Sequence, residues 1–110
     1  MERVAFLLKI DPKNQEEYIE RHKNVYPELL EAFEEVGIST YSIFLHDEYL
    51  FAYMEVEDYQ AAMKKLEENE ANQRWQQFMS DILIKHNAGK TTLEIPEVFH
   101  FESKKRSESS

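Results

Sequence analysis

Ile38-Ser39-Thr40-Tyr41-Ser42-Ile43-Phe44-Leu45-His46-Asp47-Glu48-Tyr49-Leu50-Phe51-Ala52-Tyr53-Met54-Glu55-Val56 decides the fold. Two runs rich in β-branched and aromatic residues, Ile38 to Leu45 and Tyr49 to Val56, flank the polar triplet His46-Asp47-Glu48. Side chains of this kind suit a pleated, half-buried surface, and a short polar break between two such runs predicts a β-hairpin.

Upstream of the hairpin, apolar positions recur at helical spacing through Tyr18, His22, Val25, Tyr26, Leu29, Leu30, Phe33 and Val36, with glutamates on the other face. Pro27 falls inside that stretch and leaves the carbonyl of Lys23 without its partner, so the helix should kink or restart one turn after His22. Gly37 stands where a helix C-terminus favours glycine. Further upstream, Val4 to Ile10 alternates with apolar residues on both sides, which predicts an interior strand. Asp11-Pro12 stops it, and a helix should begin near Asn14.

Downstream, Asp58 can cap a helix carrying Ala62, Met63 and Leu66. After Asn69 a further stripe runs through Trp75, Phe78, Met79 and Ile82. Lys85 to Thr92, with Asn87, Gly89 and Lys90, reads as a loop that could edge a site. Leu93 to Phe101 reads as a last strand, with Pro96 marking an edge or a bulge. The order strand, helix, strand, strand, helix, strand predicts an α+β ferredoxin-like sandwich, a four-stranded antiparallel sheet with its helices on one face. Alternation assigns Tyr41, Phe51, Tyr53 and Phe99 to the other face. An apolar surface of that kind calls for a cover, which a second copy packed sheet to sheet would supply.

The 110 residues suit a single domain over 1–101, followed by a polar, frayed tail over 102–110. A net charge of −9 argues against nucleic acid and anionic membranes as partners, both of which need clustered Lys and Arg. The absence of cysteine removes thiolate and disulfide chemistry and fits a reducing compartment, so a cytoplasmic location is expected. The apolar run Val4 to Leu8 is too brief for a signal peptide or a membrane span. His22, His46, His86 and His100 are scattered, so no metal is expected, and with only two glycines the Gly-rich cradles of nucleotide cofactors are missing.

Among chemistry-bearing residues, Tyr18 and His22 lie four apart and project from one helix face, where an imidazole and a phenol can share proton-transfer work. By spacing alone, such a pair on an amphipathic helix more often serves packing. Trp75 can stack on the C–H face of a sugar ring, although its companions Phe78 and Met79 also suit a core. Tyr41 alternates with Ile43 and Leu45, as a cross-strand packing residue does.

Tyr18-Ile19-Glu20-Arg21-His22, Tyr26-Pro27-Glu28-Leu29, Tyr41, Gln73-Arg74-Trp75 and Glu97-Val98-Phe99 together resemble the L-rhamnose mutarotase family across nearly the whole domain. The resemblance implies a dimeric α/β barrel of ferredoxin-like subunits and a cofactor-free isomerase that interconverts the anomers of a free L-rhamnose or related 6-deoxyhexose. It places His22 at the family's proton donor and Tyr18, Tyr41 and Trp75 at sugar-binding positions, with Gln76 as a pocket neighbour. One departure concerns the sugar more than the reaction: the family often has two adjacent tryptophans where this chain has Trp75-Gln76, and Tyr26 stands where a tryptophan is common. Two other readings share the fold or the residues, a cofactor-free monooxygenase of the dimeric α/β barrel type and a non-catalytic ligand-binding or dimerisation module.

Overall fold

The computed structural model describes residues 1–85 and 91–103. Strand β1 (Glu2–Ile10) leads through a 3-10 turn (Pro12–Asn14) into helix α1 (Gln15–Arg21), a second 3-10 turn (His22–Asn24) and helix α2 (Pro27–Glu35). The hairpin β2 (Ile38–His46) and β3 (Tyr49–Val56) follows, then α3 (Tyr59–Glu67), α4 (Glu70–Met79), and two short strands, β4 (Leu83–Ile84) and β5 (Leu93–Ile95). The sheet order is β2-β3-β1-β4, antiparallel throughout, with β5 also paired to β1. This is the expected ferredoxin-like arrangement, with the helices on one face.

Local chemistry accounts for the boundaries. The Asp58 and Asn69 side chains accept from the amides of Ala61 and Asn72 and so cap α3 and α4. Gly37 adopts φ +91°, and a Cβ there would come within 3.2 Å of the Glu57 carboxylate. In the hairpin turn Asp47 takes φ 53°, a left-handed conformation that aspartate tolerates better than most residues. At Pro27 the structure breaks where the sequence predicts a kink or a restart. Val25 and Tyr26 are extended, and Pro27 opens α2 at a position where its missing amide costs nothing.

Even-numbered residues of β1 and β3 face the helices and form the floor of the core with Phe6, Leu8, Ile10, Leu50, Met54 and Val56. Odd-numbered residues, including Leu7, Phe51 and Tyr53, lie on the opposite face as expected. Tyr41 does not. Pairing skips Ser39, so Ile38 opposes Val56 while Thr40 opposes Glu55, and this bulge turns Tyr41, Ile43 and Leu45 toward the helices, opposite Met54, Ala52 and Leu50. Simple alternation put Tyr41 on the uncovered face because it cannot register an extra residue in the ladder.

The last strand is also shorter than expected. Only Leu93–Ile95 of the Leu93 to Phe101 stretch pairs with β1, and the ladder ends at Pro96, whose ring has no amide to donate. The fourth-strand position is shared. Leu83 and Ile84 pair with Ile10 and Lys9, Leu93 pairs with Leu7, and the register jumps by seven residues between the two pieces. Phe99, expected on the uncovered sheet face, lies beyond the ladder and is 80% exposed. The segment past Pro96 is held by a two-pronged ion pair from Arg3 to Glu97 (2.9 and 3.0 Å). Much of the Lys85 to Thr92 loop and most of the polar tail fall outside the described residues.

Ile10 is fully buried where β1 meets β4. Ile10→Ala should therefore destabilise the protein by about 2 to 5 kcal/mol, read as a lowered midpoint in chemical denaturation. A loss below about 0.5 kcal/mol, the scale of a surface substitution, would place Ile10 outside the core.

Candidate active site

Helix α1 ends at Arg21, and the turn that follows begins with His22. The imidazole folds back so that its Nδ1 lies 3.0 Å from the carbonyl oxygen of Tyr18. A carbonyl only accepts, so Nδ1 carries the proton and donates it, and in the neutral ring Nε2 is left with its lone pair. The ring is stacked on Tyr18, with centroids 4.2 Å apart and planes at 26°, and meets Trp75 of α4 edge-on at 5.2 Å. Tyr26 meets Trp75 at 5.2 Å and 88°, so the indole is held between His22 and Tyr26.

Tyr18, His22 and Trp75 line a cavity of about 860 Å³ between the sheet and the helices, within the range of about 300 to 1,000 Å³ usual for small-molecule sites. Tyr18, His22, Tyr41, Trp75 and Gln76, drawn from α1, the 3-10 turn, β2 and α4, all border it. Trp75 is 7% exposed, so the indole packs in the core and lines the cavity at once. Tyr41 sits beneath, against Phe6 (6.2 Å) and Phe33 (5.4 Å).

Among the described residues no buried polar side-chain atom lacks a partner, yet the Tyr18 and Tyr41 hydroxyls and His22 Nε2 make no hydrogen bond to protein. These atoms therefore open on the cavity and are free for a ligand. Burial sets their protonation. It pushes both tyrosines well above the ordinary phenol value, for Tyr41 with help from Tyr18 and Tyr59 nearby, so each stays a neutral hydroxyl. Burial lowers the pKa of His22, opposed in part by the bond to the Tyr18 carbonyl, so the resting ring at neutral pH is an uncharged base.

Among the polar residues of the wall, Asn72 and Tyr59 did not stand out in the sequence. Asn72, Trp75, Gln76 and Met79 form one face of α4 at spacings of three and four, so Asn72 could have been found from Trp75 by helical geometry alone. Its side-chain amide donates to the Leu66 carbonyl (2.9 Å), which fixes its oxygen toward the Gln76 amide, 3.5 Å away. Tyr59, at the start of α3, left no comparable signal. Among the described residues no group of three or more His, Cys, Asp or Glu is placed to hold a metal ion, and no helix is long and apolar enough to cross a membrane.

Fold and site together define a ferredoxin-like α+β protein with an aromatic-lined pocket between its sheet and its helices. The chain belongs to the L-rhamnose mutarotase family, whose model matches residues 3–101. It is 43% identical over 103 residues to an L-rhamnose mutarotase of Listeria monocytogenes serotype 4b, covering 91% of this chain and 98% of the relative. The crystal structure of an L-rhamnose mutarotase from Formosa agariphila superposes with a TM-score of 0.79 at 32% identity, over 93% of this chain and all of that one. A putative antibiotic biosynthesis monooxygenase from Nitrosomonas europaea matches with a TM-score of 0.60 at 10% identity, over 88% of this chain and 89% of that one, a likeness of fold alone.

NMR titration of the His22 ring should give a midpoint below the ordinary 6.5. The folded state then binds this proton less readily than the unfolded chain, so the group's effect is nil above 6.5. It removes stability as pH falls from 6.5 to the lowered folded-state value. A midpoint at or above 6.5 would contradict the burial described here.

Proposed function

We propose that this chain interconverts the α and β anomers of L-rhamnose or a closely related 6-deoxyhexose, as a homodimer, with His22 moving the proton. One observation carries the reading: a neutral imidazole whose only available nitrogen opens on a cavity with room for a sugar, beside an indole and two phenol hydroxyls. The indole offers a stacking surface to the C–H face of a pyranose, and the Tyr18 and Tyr41 hydroxyls donate to sugar oxygens.

Both oxygens that exchange protons, the anomeric O1 and the ring O5, are bonded to C1, so one nitrogen placed between them reaches each in turn. Nε2 takes the O1 proton to leave an alkoxide; C1=O1 then forms as the C1–O5 bond breaks, and the imidazolium delivers the proton to the departing O5. Rotation about C1–C2 presents the other face of the aldehyde. Closure runs the two transfers in reverse and leaves His22 neutral. His22 thus donates to the ring oxygen, the role its resemblance to the family implies, and is also the base that frees the anomeric proton. Ring opening in water is already facile, and one positioned acid–base group contributes about 10² to 10⁴ in rate, or roughly 3 to 5 kcal/mol.

The dimer reading rests on the sheet face opposite the helices, as the described residues leave it. Phe51, Leu93 and Ile95 lie on it with Phe44, which is 65% exposed, and Val98 beyond the ladder is 93% exposed. A contiguous apolar face of this kind is seldom left in water. A second copy laid sheet to sheet covers it.

Exchange NMR on equilibrated L-rhamnose should show faster anomer interconversion with the protein present, and His22→Ala should lower that rate by about 10² to 10⁴ while sugar binding persists. No acceleration by the unaltered protein would refute the proposal. Sedimentation equilibrium should give twice the chain mass, and Phe44→Asp combined with Phe51→Lys should give a folded monomer. A monomer before substitution would remove the dimer.

A further inference from the structure

Arg21 immediately precedes His22, and its side chain reaches from α1 to the end of α4. Its Nε donates to Glu17 (2.7 Å) on its own helix, Nη1 donates to the Phe78 carbonyl (2.7 Å) and to Asp81 (2.8 Å), and Nη2 donates to Asp81 (3.1 Å). The guanidinium also lies 4.5 Å from the Phe78 ring centroid, and the side chain is only 12% exposed. Carbonyls in the last turn of a helix have no partner within it, so the Phe78 oxygen is a natural acceptor. Only a planar fork of five donors fits a carboxylate with both prongs and still reaches that carbonyl.

The clamp joins the ends of α1 and α4 next to His22 and Trp75. Phe78 lies three residues, under one turn, past Trp75 on α4, and Arg21 is bonded to His22 at the end of α1. The His22 to Trp75 edge contact and the Arg21 to Phe78 and Asp81 bonds are therefore two sides of one junction. Ion pairs with exposed carboxylates add little to stability, whereas a two-pronged pair fixes geometry.

We infer that Arg21 is a positioning residue: by locking the end of α1 to the end of α4 it sets the separation between the His22 imidazole and the Trp75 indole, and with it the alignment of base and sugar. This rests on the proton-transfer reading of His22 for its kinetic part only. Trp75 is the sole tryptophan of the chain, so its emission reports the junction whatever the reaction.

The test compares Arg21→Met, Arg21→Lys and Asp81→Asn with the unaltered protein. Arg21→Met keeps an apolar stem over Phe78. It should lower kcat for L-rhamnose anomer exchange about 10- to 100-fold with a smaller change in KM, because misplacement on the ångström scale costs that much. Trp75 emission should shift while far-ultraviolet circular dichroism stays unchanged, and Arg21→Lys should restore kcat only in part. Asp81→Asn, at an exposed site, should move kcat and emission in the same direction by less, and it decides the matter if Arg21→Met fails to fold. Unchanged kcat and unchanged emission, with only a lower Tm, would overturn the inference. If the unaltered protein shows no anomer exchange, the function reading fails, and the emission of the variants still tests the clamp.

Discussion

Proline at position 27 carries no amide hydrogen and holds a fixed φ, so the helix that starts at Gln15 cannot run through to Glu35. The chain must stop, turn through His22–Asn24, extend at Val25 and Tyr26, and start again. Much of the site follows from that interruption. The end of α1 becomes a terminus, where the Tyr18 carbonyl accepts both the His22 backbone amide and the folded-back His22 ring. Had the helix continued, the helix end that carries this bond and the Arg21 clamp would not exist.

The rest of the molecule supplies what that terminus lacks. Helix α4 brings an indole to one side of the imidazole, and Arg21 locks the two elements through Phe78 and Asp81. The sheet contributes Tyr41 from below, because the extra residue at Ser39 swings the middle of β2 toward the helices. Burial in the cavity wall favours a neutral His22 and un-ionised tyrosines, and none of their polar atoms is sealed without a partner. A proton carrier that rests uncharged, among hydroxyls that cannot compete for its proton, suits a reaction that only moves a proton between two oxygens on one carbon.

The sequence carries the local part of this account in legible form. The hairpin around Asp47, the stop at Gly37 and the caps at Asp58 and Asn69 each depend on a residue and its immediate neighbours, so turn and cap chemistry suffices to read them. Tyr18 and His22 are legible as neighbours for the same reason, since helix geometry alone joins them. The facing of Tyr41 was not, because a bulge leaves no mark in a pattern of alternating residues. The division of the fourth strand escaped as well, because pairing depends on β1 and not on Leu83 or Leu93 themselves. Arg21 reaches residues more than fifty positions away, and Asn72 and Tyr59 join the wall only once the helices lie on the sheet.

The central claim is that His22 keeps its proton on Nδ1, bound to the Tyr18 carbonyl, and offers a bare Nε2 to the cavity. Two-dimensional ¹⁵N–¹H correlation through the ring carbons reads this directly at a pH above 7. The account predicts a protonated, pyrrole-like Nδ1 resonance and an unprotonated, pyridine-like Nε2 resonance. The reverse pattern, with the proton on Nε2, would contradict it.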